Sequence, residues 1–147
     1  MNLAAVEDTK PINILLVDDD DGDAKAVQRA FTRARIVNPF VRAIDGCDAL
    51  DILRGQNGKT RARIPVLMLV DLNMPRMNGI ELVTAIRSDP DLHKTVVFIL
   101  TTSHCDEDMA AAYSLNVAGY IVKEKAGEDF LNLFSLVDSY WRIVELP

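Results

Sequence analysis

Two apolar runs in this sequence each end in aspartate. Ile12–Val17 is followed by the four acids Asp18–Asp21, and the later run Val66–Val70 is followed by Asp71. If both runs are buried strands, at least three carboxylates meet at one edge of a sheet, where they repel one another and burial raises the cost. A hard divalent cation such as Mg²⁺ or Ca²⁺ relieves that repulsion. Lys123 follows another apolar stretch and adds a fixed positive charge, so the set predicts a site that handles phosphate.

Short buried elements must position these residues. The sequence contains five apolar runs of strand length that alternate with five helical patterns, and continuous apolar character is typical of strands buried on both faces of a parallel sheet. The runs are Ile12–Val17, Phe40–Ile44, Val66–Val70, Val96–Leu100 and Gly119–Val122. The alternation predicts an α/β fold with helices on both faces of a parallel sheet. Ligands of such sheets bind beyond the carboxyl ends of the strands, which is where the polar residues should converge.

Local signals also place several of the helices. Ala24, Val27, Phe31 and Ala34 recur at helical spacing. Gly55 is suited to end a helix, and Asn78 is suited to begin one. A fifth and last helix is predicted from apolar residues that share one face. These residues are Phe130, Leu133, Phe134, Val137 and Trp141.

The bulk composition limits the classes of function. The chain has 147 residues, enough for a single domain over 11–147 after a loose N-terminal arm at 1–10. The net charge of −6 argues against direct nucleic-acid binding, which requires a concentrated basic surface. No apolar run is long enough to span a membrane and no signal segment is evident. With only two cysteines, the expected location is the cytoplasm.

Four segments, in this order, resemble the receiver domain of two-component response regulators. They are Leu15–Asp20, Leu69–Gly79, Ile99–Thr102 and Gly119–Lys123. Each segment alone is a weak signal, but four of them on the predicted strand ends make a specific pattern that spans residues 11–142. The resemblance implies a flavodoxin-like, doubly wound sheet of five parallel strands in the order 2-1-3-4-5, with five helices.

The resemblance also implies roles for individual residues. Asp71 is the implied phosphoacceptor, which forms an acyl phosphate, and Lys123 pairs first with Asp71 and then with the phosphoryl group. Thr101 is the implied switch hydroxyl, and Tyr120 is the aromatic residue whose rotamer follows it. Mg²⁺ is expected to bind Asp19 and Asp71 directly, Asp18 through water, and the backbone carbonyl of Asn73.

Other residues near the site are interpreted differently or depart from the family pattern. Asp20, Asp21 and Asp23 are interpreted as helix caps or solvated side chains, because negative charge suits a helix N-terminus. Glu124 follows Lys123, where the family usually has a proline in a cis bond. A cis bond costs a non-proline residue several kcal/mol, so this loop is expected to be trans and differently shaped.

The C-terminal sequence suggests partners. An extension from about residue 139 carries aromatic and aliphatic residues and ends in Leu-Pro. This ending is similar to that of stand-alone receivers associated with bacterial phytochromes. The resemblance implies a sensor histidine kinase as phosphoryl donor, with a bacteriophytochrome as one candidate. The apolar ending favours a homodimer through the last helix and the extension about as much as packing onto its own domain.

Three functions are compatible with these patterns. The first is a single-domain response regulator, which catalyses its own phosphoryl transfer and dephosphorylation but turns over no free substrate as an enzyme would. It would signal through a conformational switch in protein contacts. The second is an interaction module independent of phosphorylation, which Glu124 motivates and the intact site residues disfavour. The third is an Asp-nucleophile phosphatase, which needs a cap insertion and an acid at the position held by Asn73.

Overall fold

The computed structural model describes residues 12–33, 35–62, 66–101 and 106–123. Within them, five strands alternate with four helices. In chain order these are β1 (Asn13–Val17), α1 (Asp21–Arg33), β2 (Phe40–Ala43), α2 (Gly46–Arg54), β3 (Val66–Asp71), α3 (Gly79–Ser88), β4 (Val96–Thr101), α4 (Asp106–Ser114) and β5 (Gly119–Val122). The predicted N-terminal arm, the loop at Glu124, the predicted fifth helix and the C-terminal extension lie outside the described residues.

The five strands form one parallel sheet in the order β2-β1-β3-β4-β5, which confirms the predicted topology. The register aligns the carboxyl ends of the three central strands. Val17 pairs with Val70, and Val70 pairs with Ile99. Asp18 and Asp71 each come one residue after this row and therefore lie at the same edge of the sheet. The order reverses between β1 and β3, and ligands of such sheets bind at that point.

The core has two layers, one on each face of the sheet. On one face, Leu15 and Val17 of β1 pack in a cluster with α2 and α3, which contribute Leu50 and Ile86 among others. On the other face, the alternate β1 residues pack with Ala24, Val27 and Phe31 of α1. All six residues of β3 are buried. Coverage on both faces explains why the central strands β1 and β3 are almost continuously apolar, because their side chains are shielded from water on either face.

Helix ends follow the predicted caps. The Asn78 side chain accepts a hydrogen bond from the Glu81 N–H, and the Glu81 side chain accepts one from the Asn78 N–H, which forms a capping box at the start of α3. Gly55 ends α2 in the left-handed region, with φ 67° and ψ 44°, and its N–H donates to the Asp51 carbonyl. No helix in the described ranges is long and apolar enough to cross a membrane.

The start of α3 packs directly on the backbone at the end of β3. A Cβ at Gly79 would lie 2.6 Å from the Asp71 carbonyl oxygen and 2.9 Å from the Leu72 Cα. The Gly79 N–H donates to the Leu72 carbonyl at 2.9 Å. Only glycine permits this approach, so the first turn of α3 and the end of β3 are held together.

The other end of α3 is held by Arg87. Its guanidinium donates to four backbone carbonyls at the amino-terminal edge of the sheet: those of His93, Thr95, Leu115 and Asn116, at 2.7–3.2 Å. Burial lowers the pKa of this guanidinium. These carbonyls belong to the segments before β4 and before β5, so one side chain connects α3 to two loops.

Candidate phosphoacceptor and metal site

Three aspartates meet at the carboxyl edge of the sheet, as the sequence predicts. One carboxylate oxygen from each of Asp18, Asp19 and Asp71 lies within 4.8 Å of the other two. Asp18 and Asp71 are buried, whereas Asp19 is exposed. Oxygen ligands at this spacing suit Mg²⁺ or a similar hard cation.

Both carboxylate oxygens of Asp18 already accept a hydrogen bond from the protein itself. Its Oδ1 accepts from the Asp20 N–H at 3.0 Å, and its Oδ2 accepts from Lys123 Nζ at 2.9 Å. Its carbonyl accepts from Arg42 Nε at 3.1 Å and from Arg42 Nη2 at 2.9 Å. A direct metal bond to this carboxylate would compete with these hydrogen bonds. Contact with a metal through water fits the arrangement better.

Asp19 and Asp71 are less occupied. No donor in the part of the chain that the structure describes contacts the Asp19 carboxylate. Asp71 Oδ1 lies 3.4 Å from the Asn73 N–H nitrogen and 3.4 Å from Lys123 Nζ, which are long contacts. These two carboxylates therefore retain oxygen lone pairs for a cation or for phosphorus.

Lys123 directly follows β5, and its ammonium group lies among the carboxylates of the site. Its side chain is 10% exposed, and its Nζ lies 2.9 Å from Asp18, 2.8 Å from Asp23 and 3.4 Å from Asp71. Burial alone lowers the pKa of this amine, but the hydrogen bonds that it donates to Asp18 and Asp23 outweigh burial and raise the pKa. Lys123 therefore stays protonated.

The contact with Asp23 corrects the sequence interpretation. Asp20 does cap α1, since its Oδ1 accepts from the Asp23 N–H at 2.8 Å, and Asp21 lies exposed beside Arg42 at 2.6 Å. Asp23, however, is neither a cap nor simply solvated, because its carboxylate binds Lys123. No sequence signal locates this pair, since its members are 100 residues apart.

The charge balance of the site is unfavourable for Asp71. Burial raises its pKa from 3.8 to about 6, and repulsion from Asp18 adds to the rise, while Lys123 and the Asn73 N–H oppose it. Among the residues that the structure describes, one lysine thus faces three carboxylates, with the exposed Asp19 beside them. The net charge is negative, which favours a cation at the cluster.

The other predicted site residues lie close to this edge. Thr101 is fully buried and is the last residue of β4. It directly follows Leu100, which pairs with Asp71 across the sheet. Tyr120 in β5 is half-buried and packs against the core cluster beneath α2 and α3. Asn73 is exposed in the loop that follows Asp71. The structure therefore brings the five side chains of Asp18, Asp19, Asp71, Thr101 and Lys123 to one edge of the sheet.

Comparison with known proteins identifies the family. Residues 14–135 match the response regulator receiver domain family. This chain is a member of that family.

Relatives of this receiver domain include regulators associated with phytochromes. Response regulator Rcp1 of Synechocystis is 34% identical over 142 residues, which is 96% of this chain and 97% of Rcp1. The crystal structure of the phosphorylated cyanobacterial phytochrome response regulator RcpA superposes with a TM-score of 0.76 at 30% identity and covers 94% of this chain and 99% of RcpA. The crystal structure of Mn²⁺-bound Rcp1 superposes with a TM-score of 0.72 at 33% identity, and the match covers 93% of this chain and 99% of the Rcp1 chain.

These similarities confirm the resemblance stated from the sequence, including its phytochrome-associated subgroup. They also make the acidic cluster of this receiver domain consistent with a divalent metal site, since Rcp1 has been solved with Mn²⁺. The chain is a response regulator of the two-component type, and such proteins are signalling proteins.

Proposed function

We propose that this receiver domain accepts a phosphoryl group on Asp71 from a histidine of a sensor kinase. One observation carries the proposal: three carboxylates and one buried lysine converge at the carboxyl edge of the sheet, with Asp71 in contact with Lys123. We assign Asp19 and Asp71 as direct Mg²⁺ ligands, because both have free lone pairs. Asp18 acts through water, and the Asn73 carbonyl is the fourth ligand.

The chemical step is a displacement at phosphorus. A carboxylate oxygen of Asp71 forms a bond to phosphorus while the bond from phosphorus to the donor imidazole breaks, and the imidazole nitrogen keeps the electron pair. The product is an acyl phosphate. Bound Mg²⁺ would offset charge on the phosphoryl oxygens. Because the pKa of Asp71 is about 6, its carboxylate is mostly ionised at neutral pH and able to attack.

Lys123 and Thr101 would then bind the transferred group. The Lys123 ammonium already lies beside Asp71 and carries a permanent positive charge for a phosphoryl oxygen. The Thr101 hydroxyl lies at the end of the neighbouring strand and would be the second hydrogen-bond donor to a phosphoryl oxygen. In this proposal its movement is followed by Tyr120, and the resulting change in protein contacts carries the signal.

The proposal includes the partners and the location. The donor is a sensor histidine kinase, with a bacteriophytochrome as the leading candidate because relatives of this chain are phytochrome response regulators. We place the exchange in the cytoplasm and expect no direct nucleic-acid contact. A homodimer through the last helix and the extension from about residue 139 stays a prediction.

The test is the intact mass of the protein after incubation with Mg²⁺ and acetyl phosphate. We expect one added phosphoryl group, which is lost in Asp71→Asn and in the presence of a chelator. Asp45→Asn is the matched control, because Asp45 is also buried and follows a strand but caps α2, a role that asparagine can keep. This control should gain the same mass as the wild type.

Two other functions would give different experimental results. A folded wild-type protein that gains no mass and does not bind beryllofluoride with Mg²⁺ would contradict the proposal and favour an interaction module independent of phosphorylation. Continuous release of phosphate from a small phosphate ester would instead favour a phosphatase.

A further inference from the structure

Lys123 divides its three N–H donors unequally among three carboxylates. The Nζ lies 2.8 Å from Asp23 and 2.9 Å from Asp18, but 3.4 Å from Asp71. Charge-assisted hydrogen bonds between ammonium and carboxylate are strongest at about 2.7–2.9 Å. The two strong contacts of Lys123 are therefore with residues that flank the implied phosphoacceptor, and the contact with the acceptor itself is the weak one.

The two strong contacts differ in how easily they can be exchanged. Asp18 has no exposed surface, and its other carboxylate oxygen and its carbonyl are held by Asp20 and Arg42. Asp23 has a side chain that is 44% exposed, and its carboxylate can be hydrated when the lysine leaves. Of the two, the contact with Asp23 is therefore the one that Lys123 can give up.

We propose that Asp23 is a positioning residue that competes with the phosphorylated site for Lys123. This inference rests on the proposed phosphorylation of Asp71. In the unphosphorylated protein Asp23 holds the ammonium toward the first turn of α1. When a phosphoryl group is attached to Asp71, Lys123 binds its oxygens only by weakening the hydrogen bond to Asp23. Asp23 thus lowers the affinity of the site for a phosphoryl group.

The test measures the dissociation constant of beryllofluoride, a stand-in for the phosphoryl group, by calorimetry at saturating Mg²⁺. Asp23→Asn should bind it about two- to fivefold more tightly than the wild type, the range set by an ion pair with one half-exposed partner. The phosphorylation rate with acetyl phosphate should rise in parallel. Unchanged or weaker binding by Asp23→Asn would overturn the proposal.

Two control variants distinguish the effect of the position of Asp23 from the effect of its negative charge. Asp21→Asn removes the same charge from the same helical turn, but Asp21 contacts Arg42 and not Lys123, so it should bind beryllofluoride as the wild type does. Asp23→Glu keeps the charge and should restore wild-type affinity. An equal gain in Asp21→Asn would show a general charge effect and refute a specific role for Asp23.

A double variant tests whether Asp23 acts through Lys123. The gain from Asp23→Asn should disappear when Lys123→Gln is already present, and a gain that persists there would overturn the proposal. The Mg²⁺ dissociation constant without beryllofluoride and the urea midpoint establish that each variant is folded, and Asp23→Ser replaces Asp23→Asn if the latter is not. If the wild type accepts no phosphoryl group, the proposed function fails. If the wild type is phosphorylated and Asp23→Asn behaves identically, only this inference fails.

Discussion

Replacing Asp71 by asparagine should make the metal-free protein more stable at neutral pH. Burial and the nearby Asp18 raise the pKa of Asp71 from 3.8 to about 6, which means that the folded state disfavours the ionised carboxylate. Because one pKa unit corresponds to about 1.4 kcal/mol, this rise represents about 3 kcal/mol of lost stability above pH 6. Asparagine has nearly the same shape and carries no charge, so Asp71→Asn should regain most of that free energy.

The pH dependence gives the sign of the effect. Below about pH 4 the carboxyl is protonated in both states and contributes no penalty. Between pH 4 and pH 6 the folded protein holds a proton that the unfolded chain has released, so stability falls as the pH rises. Above pH 6 both states are ionised and the penalty is constant. The stability gain of Asp71→Asn over the wild type should therefore be small at pH 4 and should reach about 3 kcal/mol by pH 7.

Urea unfolding at a series of pH values, with a chelator present, measures this difference. Repeating the urea titration with Mg²⁺ gives a second comparison, because a ligand that binds only the folded state stabilises it by mass action. Saturating Mg²⁺ should raise the stability of the wild type at pH 7 and should raise that of Asp71→Asn much less. A variant that is no more stable than the wild type at pH 7, or whose gain is the same at pH 4 and pH 7, would refute the reasoning.

Substitutions at Gly79 and Arg87, each compared with a milder variant, test the attachment of α3. Gly79→Ala should lower the free energy of unfolding by about 1–3 kcal/mol, because its Cβ would meet the Asp71 backbone at 2.6 Å, and it should also slow phosphorylation. Gly46→Ala, whose three nearest contacts would all be atoms of the Met77 side chain and none of them backbone, should cost less than Gly79→Ala in the same urea titration. Arg87→Met should cost about 2–3 kcal/mol by leaving four carbonyls without their donor, and Arg87→Lys should restore only part of that loss in thermal or urea unfolding.

The sheet was predictable because its signal is local. Continuous apolar runs indicate strands buried on both faces, and five of them in alternation with helices leave few topologies. Strand ends were less predictable. The run Phe40–Ile44 was expected to be a strand throughout, but β2 ends at Ala43 because the Ile44 N–H donates to the Asp48 side chain instead of to a neighbouring strand. A competing side-chain acceptor four residues ahead has no counterpart in hydrophobic periodicity.

In the candidate site too, some features could be predicted from the sequence and others could not. Asp18, Asp19 and Asp71 were predictable because each lies at or just after the end of an apolar run whose carboxyl end is at a known edge of the sheet. The contacts that orient them were not, since Arg42 reaches the Asp18 carbonyl across 24 residues and Lys123 reaches Asp23 across 100 residues. Such contacts depend on which rotamers the packed helices allow, and that information is absent from spacing along the chain.

Because α3 is attached at its first turn through Gly79 and at its last turn through Arg87, it provides an internal frame of reference for spectroscopy. A spin label at the exposed Thr84 would move little with respect to the sheet. A second label at the exposed Glu107, in the first turn of α4 and distant in sequence from the Leu115 and Asn116 carbonyls that Arg87 holds, would then report displacement of that end of α4 when the state of the protein changes. Distances between the two labels could therefore be converted into motion of one helix without a correction for motion of the other.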